Sequence, residues 1–153
     1  MKNLFTAFLS MFIIACSTPE KNANSKIEIY DDSVLDIIDI YSEIEELADS
    51  ISLPEGPVWD EASQSLLFVD VMGNKLYKWN ENDGTSEYIS PSGNTGYAPN
   101  VDFGLLGANG LLIDENGDII LCQHGDRRLA KINNSSTNSP SFTTLVDLSL
   151  IHI

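Results

Sequence analysis

Leu66, Leu67, Phe68, Val69 and Val71 form an almost unbroken apolar run, and residues 75–79 follow with an imperfect alternation whose apolar positions include Leu76 and Trp79. Gly73 and Asn74 between them supply the turn of a β-hairpin. Asn82-Asp83-Gly84 marks the next turn, and residues 87–90 read as the outer strand of the same sheet. The pattern then restarts with a strand at 111–114, a turn at Glu115-Asn116-Gly117 and an apolar run at 119–123. A turn near Gly125-Asp126, a run at 128–132 and an outer strand at 142–146 complete it. Upstream, Val34, Leu35, Ile37 and Ile38 share one face of a short helix within 31–40, capped near Asp32 or Ser33. The weaker spacing of Ile44, Leu47 and Ile51 predicts a further strand.

The two halves of this pattern are copies. EGPVWDE at 55–61 returns as NGLLIDE at 109–115, and GNKLYKWN returns as GDRRLAKIN. Asp60 maps onto Asp114, 54 positions on, and Asn80 onto Asn133, 53 positions on. That period is the length of a β-propeller blade, a unit that buries its faces only by stacking on neighbours. The expected fold is all-β, the N-terminal part, about two blades, of a larger propeller. Between the copies, PSGNTG at 91–96 continues through Pro99 to Gly107 as a long aperiodic loop, either a functional loop or an inserted surface flap. A polar connection at 134–140 carries no functional expectation. Residues 148–153 do not open a third repeat and are expected to be a non-native tail, leaving 27–147 as the partial propeller.

Charge narrows the partners. Lys and Arg number 8 against 23 Asp and Glu, a net charge of −15, which argues against nucleic acid as a partner because phosphate binding needs a basic face. Such acidity attracts cations, although a solvated acidic surface gives the same value. At the N-terminus, residues 4–15 are apolar but for Thr6 and Ser10, follow the single charge Lys2, and are too short to span a bilayer. Residues 1–16 therefore read as a secretory signal. Cys16 directly after Ala15 resembles a bacterial lipobox, with Cys16 the lipidation site; an ordinary signal that happens to hold a cysteine is the alternative. Residues 17–26 would be a flexible tether, and the protein would be exported and lipid-anchored to the bacterial membrane on its periplasmic face, with Ser17 favouring the outer membrane. Cys122, inside an apolar run, is expected to be a buried core thiol.

Chemistry is expected where the copies align. Glu55 and Asn109 hold equivalent positions just ahead of a blade's first strand, so a carboxylate and an amide oxygen converge on one mouth of a central channel. Oxygen donors of this kind suit a hard divalent cation such as Ca²⁺, which takes roughly six to eight of them, so two do not complete a site. His124 could carry a proton or contact a substrate, or be bonded to a turn carbonyl. Arg127 and Arg128 could contact an anion or form solvated salt bridges. Gly-x-Ser-x-Gly, phosphate-loop, paired-cysteine and His-Glu-x-x-His patterns are all missing from the sequence, whereas a metal-assisted opening of a lactone or ester needs none of them.

EGPVWDEASQSLLFVDVMGNKLYKW, PSGNTG, NGLLIDENGDIILCQHGDRRLAKI and FTTLVD together resemble the family of gluconolactonases, senescence-marker protein and luciferin-regenerating enzyme, most of all its secreted or lipid-anchored bacterial branch. The likeness runs over about 44–147. It implies a six-bladed propeller with one divalent ion, usually calcium, in the channel, hydrolysing sugar lactones such as glucono-1,5-lactone. By this resemblance Glu55 matches the metal-binding glutamate, while Asn109 and His124 match positions near the pocket and are candidate substrate-binding residues. The catalytic base and the other metal ligands would lie beyond Asp147, so the catalytic residues remain unassigned and this stretch by itself is expected to be inactive. A sugar- or ligand-binding propeller lipoprotein without turnover, or an assembly scaffold, is the alternative.

Overall fold

The computed structural model describes residues 27–98, 106–134 and 139–147. The signal, Cys16, the tether and the tail after Asp147 lie outside these residues. The chain divides into two compact units, Met1–Glu45 and Glu46–Ile153.

In the first unit the expected helix is a single 3-10 segment, Asp32–Asp36. Its cap is Asp31, one residue earlier than predicted, whose carboxylate accepts the Ser33 N–H at 2.9 Å. The helix is shorter than 31–40 because, among the described residues, most of its apolar positions are left uncovered: Leu35 is 50% and Ile37 83% exposed. Without a packed face, helix formation rests on local propensity alone.

The described residues of the second unit form eight strands in two four-stranded antiparallel sheets. The first sheet runs in chain order through β1 (Pro54–Asp60), β2 (Ser65–Asp70), β3 (Lys75–Asn80) and β4 (Gly84–Ile89). The second repeats the order with β5 (Ala108–Ile113), β6 (Ile119–Gln123), β7 (Arg128–Asn134) and β8 (Ser141–Asp147). Turn chemistry explains these boundaries. Asn80 Oδ1 accepts the N–H groups of Asn82 and Asp83, and Asp114 Oδ1 accepts those of Asn116 and Asp118. These local side-chain bonds reverse the chain after the third strand of the first sheet and the first strand of the second.

No strand forms at 44–51. The Leu47 carbonyl accepts Thr85 Oγ1 at 2.7 Å instead of a strand partner, and just after the segment the Ser52 and Leu53 amides donate to Asp70.

The core lies between the sheets. Leu67, Val69, Val71, Leu76 and Ile89 from the first sheet and its turn meet Ala108 and Leu121 from the second, with Leu111, Ile113, Ile119, Ile132 and Phe142 packed around them. Fully burying each large aliphatic side chain contributes about 1.5–3 kcal/mol. Strand alternation assigns the other face: in β6, Leu121 and Gln123 point into this core, so Cys122 between them points away and is exposed. The expectation of a buried core thiol is therefore corrected. The run is apolar on both faces, but only one face has a partner among the described residues.

Candidate functional site

Glu55 and Asn109 are each the second residue of the first strand of their sheet, inside the strands and not ahead of them as the sequence suggested. Both sit at irregularities of pairing. The β1–β2 register shifts between Glu55 and Val58, and the β5–β6 register between Ala108 and Gly110. A bulge re-aims the side chains it carries, and both are exposed here. β1 and β5 are neighbours, and Gly56 explains how closely they approach. Its φ of +55° favours glycine, and a Cβ there would stand 2.7 Å from the Asn109 carbonyl oxygen. The repeated position thus places the two residues on adjoining first strands.

His124 follows β6 and is exposed; its carbonyl closes the turn by accepting the Arg127 N–H at 3.2 Å. Asn109 and His124 line one depression of about 360 Å³ together with Cys122, Arg127 and Leu129. Glu55 lines a different one, of about 220 Å³, with Leu47, Pro57 and Phe68. The structure therefore brings Asn109 and His124 into one hollow and leaves Glu55 beside it on the next strand.

The two arginines separate. Arg128 is buried, with Nη1 donating to Thr144 Oγ1 at 2.9 Å, Nε donating to Gln123 Oε1 and Nη2 lying 3.4 Å from the buried carboxylate of Asp126. It is a structural cation and not a solvated one, although it too borders the hollow. Arg127 lines the hollow, and its buried Nε has no hydrogen-bond partner among the described residues.

The PSGNTG stretch is a strap between the sheets, not a surface flap. Asn74, in the β2–β3 turn, accepts on Oδ1 the N–H groups of Ser92, Gly93 and Asn94 at 3.2, 2.8 and 3.1 Å. Asp126, in the β6–β7 turn, takes the N–H and hydroxyl of Thr95. Sequence reasoning passed over Asn74 and Asp126 as holders of the site, although GN and GD at equivalent turns pointed to them, and over Asp70, whose signal was an acid in an apolar run. Asp70 is buried at the end of β2; burial pushes its carboxyl up, but amides of Gly73, Ser52, Leu53 and Met72 outweigh this and leave it below the usual range.

Among the described residues no cluster of three or more His, Cys, Asp or Glu could hold a metal by itself. Exposed hard-oxygen donors on adjoining strands, a carboxylate at Glu55 and an amide at Asn109, nonetheless fit part of the shell of a hard cation.

Two repeated four-stranded antiparallel sheets, packed through their inner faces with their first strands adjoining, define a propeller-type all-β protein. Residues 53–149 match the family described as the SMP-30/Gluconolactonase/LRE-like region, and the chain belongs to that family. It is 34% identical over 97 residues to the gluconolactonase of Zymomonas mobilis subsp. mobilis, covering 63% of this chain and 27% of that protein. A 26-residue stretch, 17% of this chain and 9% of the relative, is 65% identical to regucalcin of Oryctolagus cuniculus. Among solved structures, an X-ray structure assigned as a gluconolactonase superposes with a TM-score of 0.52 at 25% identity, covering 67% of this chain and 30% of that one. A gluconolactonase from Xanthomonas campestris shares the fold with a TM-score of 0.51 at 22% identity, covering 65% and 28%. The chain thus spans less than a third of the length of each of these relatives.

Proposed function

We propose that this chain is the N-terminal part, about two blades, of a six-bladed propeller that hydrolyses sugar lactones with the help of a divalent cation, Ca²⁺ by its oxygen donors. The observation that carries this is the placement of Glu55 and Asn109 at equivalent bulges on adjoining first strands, in a chain of the gluconolactonase family. Glu55 would hold the cation in part, with its other ligands supplied by later blades. When bound, the cation polarises the lactone carbonyl or lowers the pKa of an attacking water. Asn109 and His124 would contact the sugar at the end of the second sheet where β5 begins and β6 ends, the register pairing Ala108 with Gln123 there: the amide donates to and accepts from ring hydroxyls, and the imidazole exchanges a hydrogen bond with a further hydroxyl. Hydrolysis adds water across the acyl C–O bond, giving a carboxylate, a hydroxyl and a proton, and the base that takes the water's proton would lie outside this chain. The 153-residue chain alone would be inactive.

The proposal extends to the N-terminus. Residues 1–16 would be a signal ending in a lipidated Cys16 and 17–26 a tether, anchoring the enzyme at the periplasmic face, on the outer membrane. Cys16→Ser would then move the protein from the membrane fraction to the soluble one.

The test of function is lactone hydrolysis by the intact protein, followed by pH-stat with calcium added and then chelated, for wild type and Glu55→Gln. Calcium-dependent turnover that Glu55→Gln abolishes is the expected result. Retained calcium binding with no turnover across a panel of sugar lactones would replace the enzyme with a binding lipoprotein.

A further inference from the structure

Asn74 occupies the β2–β3 turn with φ +55°, a left-handed conformation that asparagine tolerates. From there its side chain organises a segment 18 to 20 residues away. One carbonyl oxygen receives three successive N–H groups, Nδ2 donates to the Asn94 carbonyl at 3.1 Å, and the Asn74 backbone carbonyl accepts the Ser92 N–H at 2.9 Å. Segment 92–94 is thereby wrapped around a single amide. Ser92, fully buried, passes the order on: its Oγ accepts the Ala108 N–H at 3.2 Å, and its carbonyl accepts Gln123 Nε2 at 2.9 Å. Gly107 donates its N–H to the Val71 carbonyl at 2.7 Å and lies against Gly93, where a Cβ would stand 2.1 Å from the Gly107 carbonyl carbon. Both residues immediately ahead of Asn109 are thus fixed from the first sheet.

The turn itself does not demand this residue. Arg127 fills the corresponding position of the second sheet at φ +52°, and its guanidinium has no acceptor to gather amides. Asn74 therefore does something the repeat does not need, and what it does ends at the start of β5.

We infer that Asn74, acting through Ser92, is a positioning residue for Asn109: it sets the bulge of β5 from the neighbouring sheet and so fixes where the Asn109 amide meets the sugar. This rests on the role of Asn109 as a substrate contact proposed above. A residue that only holds the fold would change the amount of active protein. One that aims a ground-state contact changes KM with kcat kept.

The experiment compares Asn74→Ala, Asn74→Asp, Ser92→Ala and Asn109→Ala in the intact protein, by lactone kinetics and by hydrogen exchange of the peptide spanning 106–113. Expected are faster exchange at the start of β5 and a KM raised about tenfold, with kcat within about twofold, in Asn74→Ala and Ser92→Ala. Asn74→Asp keeps the oxygen that gathers the three N–H groups but loses the Nδ2 donor to the Asn94 carbonyl, so its KM should fall between those of Asn74→Ala and wild type. If Asn74→Ala does not fold, Ser92→Ala, which removes only the acceptor for Ala108, and Asn74→Asp carry the test. Unchanged exchange in Ser92→Ala overturns the inference. So does an unchanged KM in Ser92→Ala when Asn109→Ala raises KM. A wild-type KM in Asn109→Ala shows instead that Asn109 is not a substrate contact, and the inference falls with that assignment.

Discussion

The carboxylate of Asp70 accepts the backbone N–H of Leu53 at 3.1 Å, tying the end of β2 to the residue that leads the chain into β1 and Glu55. Oδ1 also takes the Gly73 N–H at 3.0 Å and Oδ2 the Ser52 N–H at 3.3 Å. Despite burial, these amides hold the carboxyl below its ordinary value. A folded pKa below the unfolded one stabilises the fold in full above the unfolded value of about 3.9, and this is lost as pH falls through the folded value. Asp70→Asn should lower stability at pH 7 by about 1.5–3 kcal/mol, since an amide cannot accept on both sides. The gap between the variants' urea midpoints should narrow only below about pH 3.9. A gap that is already closed at pH 5 would show that the ionised form is not what holds the segment.

Arg128 anchors the other end of the strap. Its guanidinium carbon lies 3.9 Å from the centre of the Tyr97 ring while its nitrogens serve Asp126, Gln123 and Thr144. Asp126 is fully buried, so Arg128→Met strands a charge and should cost about 3–5 kcal/mol in urea unfolding. Arg128→Met combined with Asp126→Asn should recover part of that loss, because the uncompensated charge disappears. An additive double variant would mean that the pair is not energetically coupled.

Two glycines of one short stretch should differ sharply. A Cβ on Gly93 would stand 2.1 Å from the Ala108 nitrogen, a backbone atom that cannot yield without moving β5. Gly96, with φ +85°, has open space around its Cβ position. Gly96→Ala should cost only the left-handed strain of about 1–2 kcal/mol. Gly93→Ala should reach or exceed the upper end of overpacking penalties, about 3 kcal/mol. Thermal unfolding of both variants decides it, and equal losses would refute the close contact.

Strands and turns were legible because both rest on neighbours in sequence. Apolar runs at 66–71 and 119–123, with Gly-Asn, Asn-Asp-Gly and Asn-Gly between segments, carry their own punctuation, and β2, β3, β6 and β7 fall where these place them. The repeat likewise put Glu55 and Asn109 at corresponding positions. What could not be read depends on partners far along the chain. The apolar spacing at 34–38 promised a longer helix, but among the described residues no surface buries it. Residues 44–51 looked like a strand, yet the Leu47 carbonyl bonds to the Thr85 side chain, and just after the segment Ser52 and Leu53 donate to Asp70. The strap at 91–96 has no periodicity, and its order comes from Asn74 and Asp126 in two separate turns. Cys122 looked buried because nothing in a locally apolar strand says which face lacks a neighbour.

That unpaired face tests the propeller itself. Leu112 is 56% and Val146 47% exposed, and the Cys122 thiol is exposed with them on the second sheet. A monomeric fold does not leave a sheet face of this kind to water when further chain can cover it. If the protein continues into further blades, the next one should seal this face. A maleimide should then label Cys122 quickly in the 153-residue chain and slowly in the intact protein, with unfolding in urea restoring fast labelling. The background is set by Cys16→Ser, which leaves Cys122 as the sole thiol of this stretch. Equal labelling in both forms would mean that no sheet follows β8 on this side, and the placement of further metal ligands in later blades would lose its support.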